Sequence, residues 1–319
     1  MGFDDAAHTA AFASVNRLVS ATAEIRTEAQ RGRERERARI VAALALTLLM
    51  WASAFVVIRS VGRHLSPGPL ALSRIMVGSV ALGIAMLVRR ERRPSGRALA
   101  QAVVAGVLWF GVYMVSLNAG ERWVDAGTSS LLVNTGPLFI ALFAGWLLHE
   151  GLPRALLGGC TVALAGAGLI ALSVSGHGTH ELLGAGLCVV AALAYAIAVV
   201  AQKPALRVSG ALPITWSACT AGAVALLEFV PQSVHELGHA SAGTLLAVLY
   251  LGIGPTAIAF LLWAYVLSKM DAGRLGATTY VVPPLVVLIS WLWLGQVPPA
   301  LAIPGGLLCL AGVAIARRR

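Results

Sequence analysis

Prolines interrupt apolar stretches of this sequence at Pro137, Pro255, Pro283 and Pro284. In a helix each removes a backbone donor and frees a carbonyl one turn earlier. Asn134 and Thr135 precede the first of these breaks; Thr278, Thr279 and Tyr280 precede the third. Polar side chains beside freed carbonyls suit recognition of a neutral or zwitterionic solute. They equally suit a packing kink with its own internal hydrogen bonds. Trp51, Trp109, Tyr113, Tyr195, Trp263 and Tyr280 fall inside apolar stretches rather than at their ends. Each brings a flat apolar wall and a polar tip that needs a partner when buried. With Ser53, the candidate substrate-binding set is Trp51, Ser53, Trp109, Tyr113, Asn134, Thr135, Tyr195, Trp263, Thr279 and Tyr280.

Ionisable chemistry is sparse in the same stretches. No acidic residue falls near the middle of any of them, and Glu228 lies close to an outer end. A carboxylate in mid-membrane is the usual proton-coupling device of pumps, so its absence argues against carboxylate-driven proton antiport and against strongly cationic drugs. Nucleotide sugars would need several cations, and only Arg74 is available, which reads as a structural anchor that snorkels outward or binds carbonyls. Glu150 and Gln296 stand at equivalent helix ends, where Glu150 complements exposed amides. Cys160, Cys188, Cys219 and Cys309 share no metal-ligand spacing and read as small packing residues. His177, His180, His235 and His239 fall in loops; two histidines at i, i+4 without a third ligand read as solvated. There is no His-Glu-x-x-His, no Gly-x-Ser-x-Gly and no paired carboxylate in an apolar stretch. Gly252-x-Gly254-x-x-Ala257 lacks the strand that a dinucleotide site requires. The expectation is no catalytic residues, no cofactor and no metal.

These residues must be positioned by membrane-spanning helices. Of 319 residues, 58% are hydrophobic and 12% charged, against roughly 25% charged in a soluble domain. A spanning helix needs about 20 mostly apolar residues. Ten candidates follow: 40–58, 69–88, 98–118, 128–148, 155–174, 183–202, 213–230, 244–267, 276–294 and 300–316. The net charge of +10 is concentrated in short blocks, at Arg31–Arg39, Arg89–Arg97 and Arg317–Arg319, without the interleaved aromatics of a nucleic-acid surface. No nucleic-acid partner is expected. Basic residues crowd one set of loops, while the other set holds only Arg59, Arg63 and Arg122. That bias places both termini in the cytoplasm and the chain in the cell's inner, plasma membrane. The segment 1–37 reads as a cytoplasmic tail, amphipathic through Phe12, Val15, Leu18, Val19 and Ile25, or else poorly ordered.

The chain is doubled. A shift of 144 residues puts Trp51 on Tyr195, Pro69 on Pro213, Ser73 on Ser217 and Gly78 on Gly222. A shift of 146 puts Asp125-Ala126-Gly127 on Asp271-Ala272-Gly273, Pro137 on Pro283 and Leu164-Ala165-Gly166 on Leu310-Ala311-Gly312. The copies divide the chain into a first five-helix repeat at 38–175 and a second at 176–319. Five is odd, so the second copy enters the membrane from the opposite side. Inverted repeats of this kind hold substrate at the repeat interface and expose it alternately to each side. The expected fold class is all-α integral membrane, ten helices in two inverted five-helix repeats. The Gly- and Ala-rich spans 155–174 and 300–316 suit close packing, inside the monomer or across a homodimer.

Several motifs carry a family resemblance. Trp51-Ala52-Ser53-Ala54-Phe55, the Pro69-to-Arg74 stretch, Asn134-Thr135-Gly136-Pro137 running on to His149-Glu150, and the glycine-rich 155–172 resemble the EamA family of the drug/metabolite transporter superfamily. The resemblance covers about 40–316, with Ala52 and His149 standing where that family has glycine. It implies a ten-helix exporter of small metabolites, amino acids being a common class. The function expected is a secondary transporter exporting small neutral or zwitterionic solutes by alternating access, in contact with membrane lipid and with a homodimer left open. The competing readings are a sensor or channel and, behind these, a membrane-embedded enzyme.

Overall fold

A computed structural model of the protein describes residues 4–147, 154–174, 179–296 and 298–316. His149, Glu150, His177 and the Arg317–Arg319 triplet lie outside the described residues, as do the side chains of Cys160, Arg274 and the tail before Gln30. Residues 1–43 group as one unit and 44–319 as another. The first unit is helical from Asp4 onward.

Among its described residues the second unit has helices and connecting turns but no strand. Among the described residues the longer helices, in chain order, are α1 (Asp4–Val61), α2 (Pro67–Arg89), α3 (Gly96–Trp123), α4 (Ala126–Leu147), α5 (Arg154–Val174), α6 (Thr179–Val208), α7 (Ala211–Ala225), α8 (Ala242–Lys269), α9 (Thr278–Leu294) and α10 (Ala302–Ala316). Six are long and apolar enough to span by themselves. At 15 residues α7 falls short of the roughly 20 that a span needs. After a break at Leu226 the 3-10 turn Leu227–Phe229 and the short helix Val230–Gly238 together turn away from it by 54°.

Local chemistry fixes the ends. Pro67 occupies the first turn of α2, where its missing N–H costs nothing. The Ser66 side chain makes no cap there; instead the Ser66 amide donates to Glu236 Oε2 at 2.7 Å, a cap supplied from the second repeat. Asp125 caps α4 by accepting from the Thr128 amide at 2.9 Å and its hydroxyl at 2.6 Å.

Packing follows the repeat symmetry. The Gly/Ala-rich α5 and α10 pack along each other inside the monomer. A Cβ on Gly166 would sit 2.5 Å from the Gly305 carbonyl, and one on its counterpart Gly312 would sit 2.5 Å from the Ala163 amide. Only glycine lets the two backbones approach so closely. Helix α2 likewise packs on the middle of α8, and α7 on the middle of α3.

Those two middles are not ordinary α-helix. Val107–Tyr113 in α3 and Gly252–Ile258 in α8 are π-helical, 145 residues apart and therefore at equivalent places in the two repeats. Such wide turns occur frequently at functional sites. The sequence points to Pro255 as a break but carries no comparable marker in 107–113. A second symmetric pair of interruptions sits in α4 and α9. Helix α4 breaks at Asn134–Thr135, between Ala126–Val133 and Gly136–Leu147. Helix α9 is 3-10 at Ala277–Val281 before Val282–Leu294. Both breaks come just before their prolines. Pro137 leaves the Val133 carbonyl, and Pro283 the Thr279 carbonyl, without the usual i+4 amide. Pro204 in α6 breaks nothing: the helix runs on to Val208, past the end expected at 202.

Candidate transport site

The four interrupted helices surround a cavity of about 50 Å³ between the two repeats. It holds no more than a few waters. From the first repeat it is lined by Trp51, Phe55 and Ile58 of α1, Arg74 of α2, Trp109, Tyr113, Met114 and Leu117 of α3, and Val133 and Asn134 of α4. The second repeat contributes Tyr195, Phe260, Thr279 and Val282.

Six of the ten candidate residues line this space: Trp51, Trp109, Tyr113, Asn134, Tyr195 and Thr279. The other four do not. Trp263 is fully buried behind the lining, its ring 4.9 Å from Trp51 and 6.0 Å from Trp109, and its indole N–H has no hydrogen-bond partner. Ser53 turns away to the Met50 carbonyl at 2.9 Å and the Tyr250 hydroxyl. Thr135 donates to the Leu132 carbonyl at 2.8 Å. Tyr280 is half-buried outside the lining.

The aromatic walls form one cluster. Trp109 stands 5.0 Å from Tyr195 and 4.8 Å edge-on to Phe260, which in turn lies 5.3 Å from Trp51. The Trp51 indole donates to the Pro255 carbonyl at 3.3 Å and ties α1 to the π turn of α8.

The polar groups at the breaks divide between two tasks. The hydroxyls of Thr135, Thr278 and Thr279 donate to carbonyls three residues back, at 2.7–2.8 Å. That is the self-satisfied kink. Asn134 does both: its Nδ2 donates to the Ser130 carbonyl at 2.9 Å, while its Oδ1 is buried, unpartnered and in the cavity wall.

Arg74 does not snorkel outward, one of the two placements expected of it. It is 2% exposed and lines the cavity. A relay explains how it is held. Pro255 cannot donate to the Leu251 carbonyl, so the Thr256 hydroxyl does, at 2.7 Å. The same oxygen accepts from Arg74 Nε at 3.2 Å. The rest of the guanidinium fork is available to the cavity, and among the described residues no ion pair joins it. A fork of that kind matches a carboxylate. One signal was present in the sequence: the shift of 144 sets Arg74 against Ala218. The cation is therefore present in one copy of the doubled pattern and absent from the other.

Glu121 also departs from expectation. The third span was expected to end at 118, but α3 runs to Trp123, and Glu121 is 2% exposed within it. Glu228 is exposed at the end of its span. His239 Nδ1 lies 2.8 Å from the His235 carbonyl, and both rings are solvent-facing.

With this geometry in hand, comparison with known proteins is informative. The model of the EamA-like transporter family matches residues 38–172 and again 182–318. A probable terminal-alkyne amino-acid exporter of Streptantibioticus cattleyicolor is 38% identical over 277 residues, 87% of this chain and 93% of that protein. The uncharacterized transporter YdfC of Bacillus subtilis is 34% identical over 84% of this chain and 88% of its own. A probable amino-acid metabolite efflux pump of Escherichia coli is 25% identical over 85% and 92%. One solved crystal structure superposes with a TM-score of 0.62 at 21% identity, covering 87% of this chain and 96% of its own, a likeness of fold.

Proposed function

This chain belongs to the EamA-like transporter family, and from that premise we propose that it exports small zwitterionic metabolites of the amino-acid class by alternating access. The cavity between the repeats carries the reading. It combines one buried guanidinium for a carboxylate, an unpartnered amide oxygen for an ammonium, and a wall of aromatic rings for an apolar side chain. Two relatives named for amino-acid or amino-acid-metabolite export support the same class. The set assigned to solute is Trp51, Trp109, Tyr113, Asn134, Tyr195 and Thr279, now with Arg74 and Phe260. Trp263 backs the rings, and Ser53, Thr135 and Tyr280 hold the surrounding helices.

The basic loops support an orientation with both termini in the cytoplasm of a plasma-membrane protein. The two domains proposed remain the repeats 38–175 and 176–319, after the tail 1–37. The close α5–α10 contact uses the small-residue faces within the monomer, which removes the reason for assigning them to a dimer.

The experiment is counterflow in proteoliposomes. Purified protein is reconstituted with unlabelled L-norvaline inside, and labelled L-norvaline is added outside. Transient uptake above the equilibrium level is expected, with competition from other apolar amino acids. No uptake by folded protein, for norvaline or any amino acid tested, would overturn the proposal.

A further inference from the structure

Beyond the central cavity, a second cavity of about 430 Å³ opens at the end of the bundle where α1 meets α2 and α3 meets α4. Its wall contains Arg59, Arg63, Asn118, Glu121, Arg122 and Trp123. The polar side chains are mostly committed to backbone. Arg59 donates to the Glu121 carbonyl, Arg122 Nε to the Gly62 carbonyl at 3.3 Å, and Asn118 Nδ2 to the Pro67 carbonyl at 3.0 Å. What is left over is acceptor capacity: both carboxylate oxygens of Glu121, and Asn118 Oδ1 one helical turn away, are buried without a hydrogen-bond partner.

An ionised carboxylate in that condition is among the costliest groups a protein can bury. It becomes inexpensive when it takes up a proton. Arg59 of α1, Arg74 of α2 and Asp125 at the start of α4 are the charged groups that act on it. Tyr113 of α3 and Cys188 of α6 are the other titratable groups within its field, and Arg63 and Arg122 share the cavity wall. Dry surroundings favour a carboxyl as the neutral acid, and water reaching it favours the anion.

Its position connects two compartments. Leu117, one turn before Glu121, lines the central cavity, and Ile58 lines both cavities. Arg74 reaches Glu121 electrostatically while facing the solute space.

We propose that Glu121 is a proton-binding site that couples inward proton movement to outward solute movement. A hydronium in the outer cavity gives its proton to a Glu121 oxygen, forming one O–H bond and leaving water. After the bundle opens to the other side, that O–H bond breaks to water reaching Glu121 past Leu117, and the proton leaves as hydronium. Solute crosses on the opposite stroke. This extends the amino-acid reading of the central cavity and rests on it.

The test uses L-norvaline in proteoliposomes with an interior one pH unit more acidic than the exterior. Exchange of one proton per norvaline allows accumulation up to about tenfold per pH unit. The wild type should accumulate norvaline toward that limit and lose it with a proton ionophore. Glu121→Gln should abolish accumulation yet keep counterflow, which needs no proton. Accumulation that survives in Glu121→Gln, or wild-type counterflow with no response to the pH gradient, would overturn the coupling site alone. Absent wild-type counterflow would overturn the amino-acid reading and this inference with it. Should Glu121→Gln fail to fold, a pH dye in weakly buffered detergent decides the matter. Release of about one proton per wild-type protein on norvaline binding supports the site, and none overturns it.

Discussion

Replacing Arg74 by methionine should move stability and solute binding in opposite directions. The side chain is 2% exposed with no ion pair among the described residues, so the fold bears the cost of a buried cation. Its one hydrogen bond, to Thr256 Oγ1, is long at 3.2 Å, and Thr256 keeps its own bond to the Leu251 carbonyl at 2.7 Å when Arg74 is gone. Exchanging buried charge for an apolar group of similar volume is often neutral or stabilising. Solute is another matter. A hydrogen bond to a charged group contributes about 1.5–3 kcal/mol, which is roughly 12- to 150-fold in affinity at 1.4 kcal/mol per tenfold. Thermal unfolding in detergent should therefore show an unchanged or raised midpoint for Arg74→Met, while the norvaline concentration for half-maximal counterflow rises by at least an order of magnitude. Arg74→Lys should recover part of the affinity through its charge alone. A lowered midpoint with unchanged affinity would refute the reasoning and make Arg74 an anchor between α2 and α8.

Three further outcomes follow from the packing and the charges. Gly166→Ala should destabilise the protein by about 1–3 kcal/mol because its Cβ meets the α10 backbone. Gly168→Ala, with nothing within 4 Å, should be neutral or slightly stabilising; equal effects in thermal unfolding would contradict the α5–α10 contact. At Glu236, burial raises the carboxyl, but hydrogen bonds from Ser66 and Gln232 and the nearby Arg122 outweigh it and hold it below the usual carboxylate range. Its contribution to stability is therefore full above the ordinary glutamate range and lost as pH falls through the lowered value; Glu236→Gln should flatten the wild-type drop in unfolding midpoint as pH falls below about 5, and parallel curves would count against the cap. A C-terminal reporter active only outside the cytoplasm should stay silent, and a strong signal would reverse the proposed orientation.

Much of the architecture is legible from composition and self-comparison. Apolar runs of about 20 residues announce spans whatever their tertiary partners, and the shifts of 144 and 146 disclose the doubling. The site is less legible because proximity in it is set by helix crossing. Tyr195 reaches the cavity and Tyr280 does not, though both are aromatics inside apolar runs. Ser53 and Thr135 lie beside lining residues, but alternate positions on a helix face different ways. Glu121 escaped because a span was ended where the apolar run stopped. The helix instead continues to the break before Asp125, where that side chain caps α4. The π turn at 107–113 has no composition of its own; it is visible only as the partner of Pro255 under the repeat shift.

The central claim is a cavity between the repeats that opens to one side at a time. Val133 lines that cavity and is 6% exposed, while Cys188, Cys219 and Cys309 are buried and free. Val133→Cys can be titrated with a membrane-impermeant thiol reagent in right-side-out and in inside-out vesicles, with and without L-norvaline. Alternating access predicts labelling from either side in turn, above the background of the parent protein and slowed by norvaline in both orientations. Labelling from both sides that norvaline does not slow would describe a channel, and labelling from neither side would place the solute path elsewhere; either result contradicts the account.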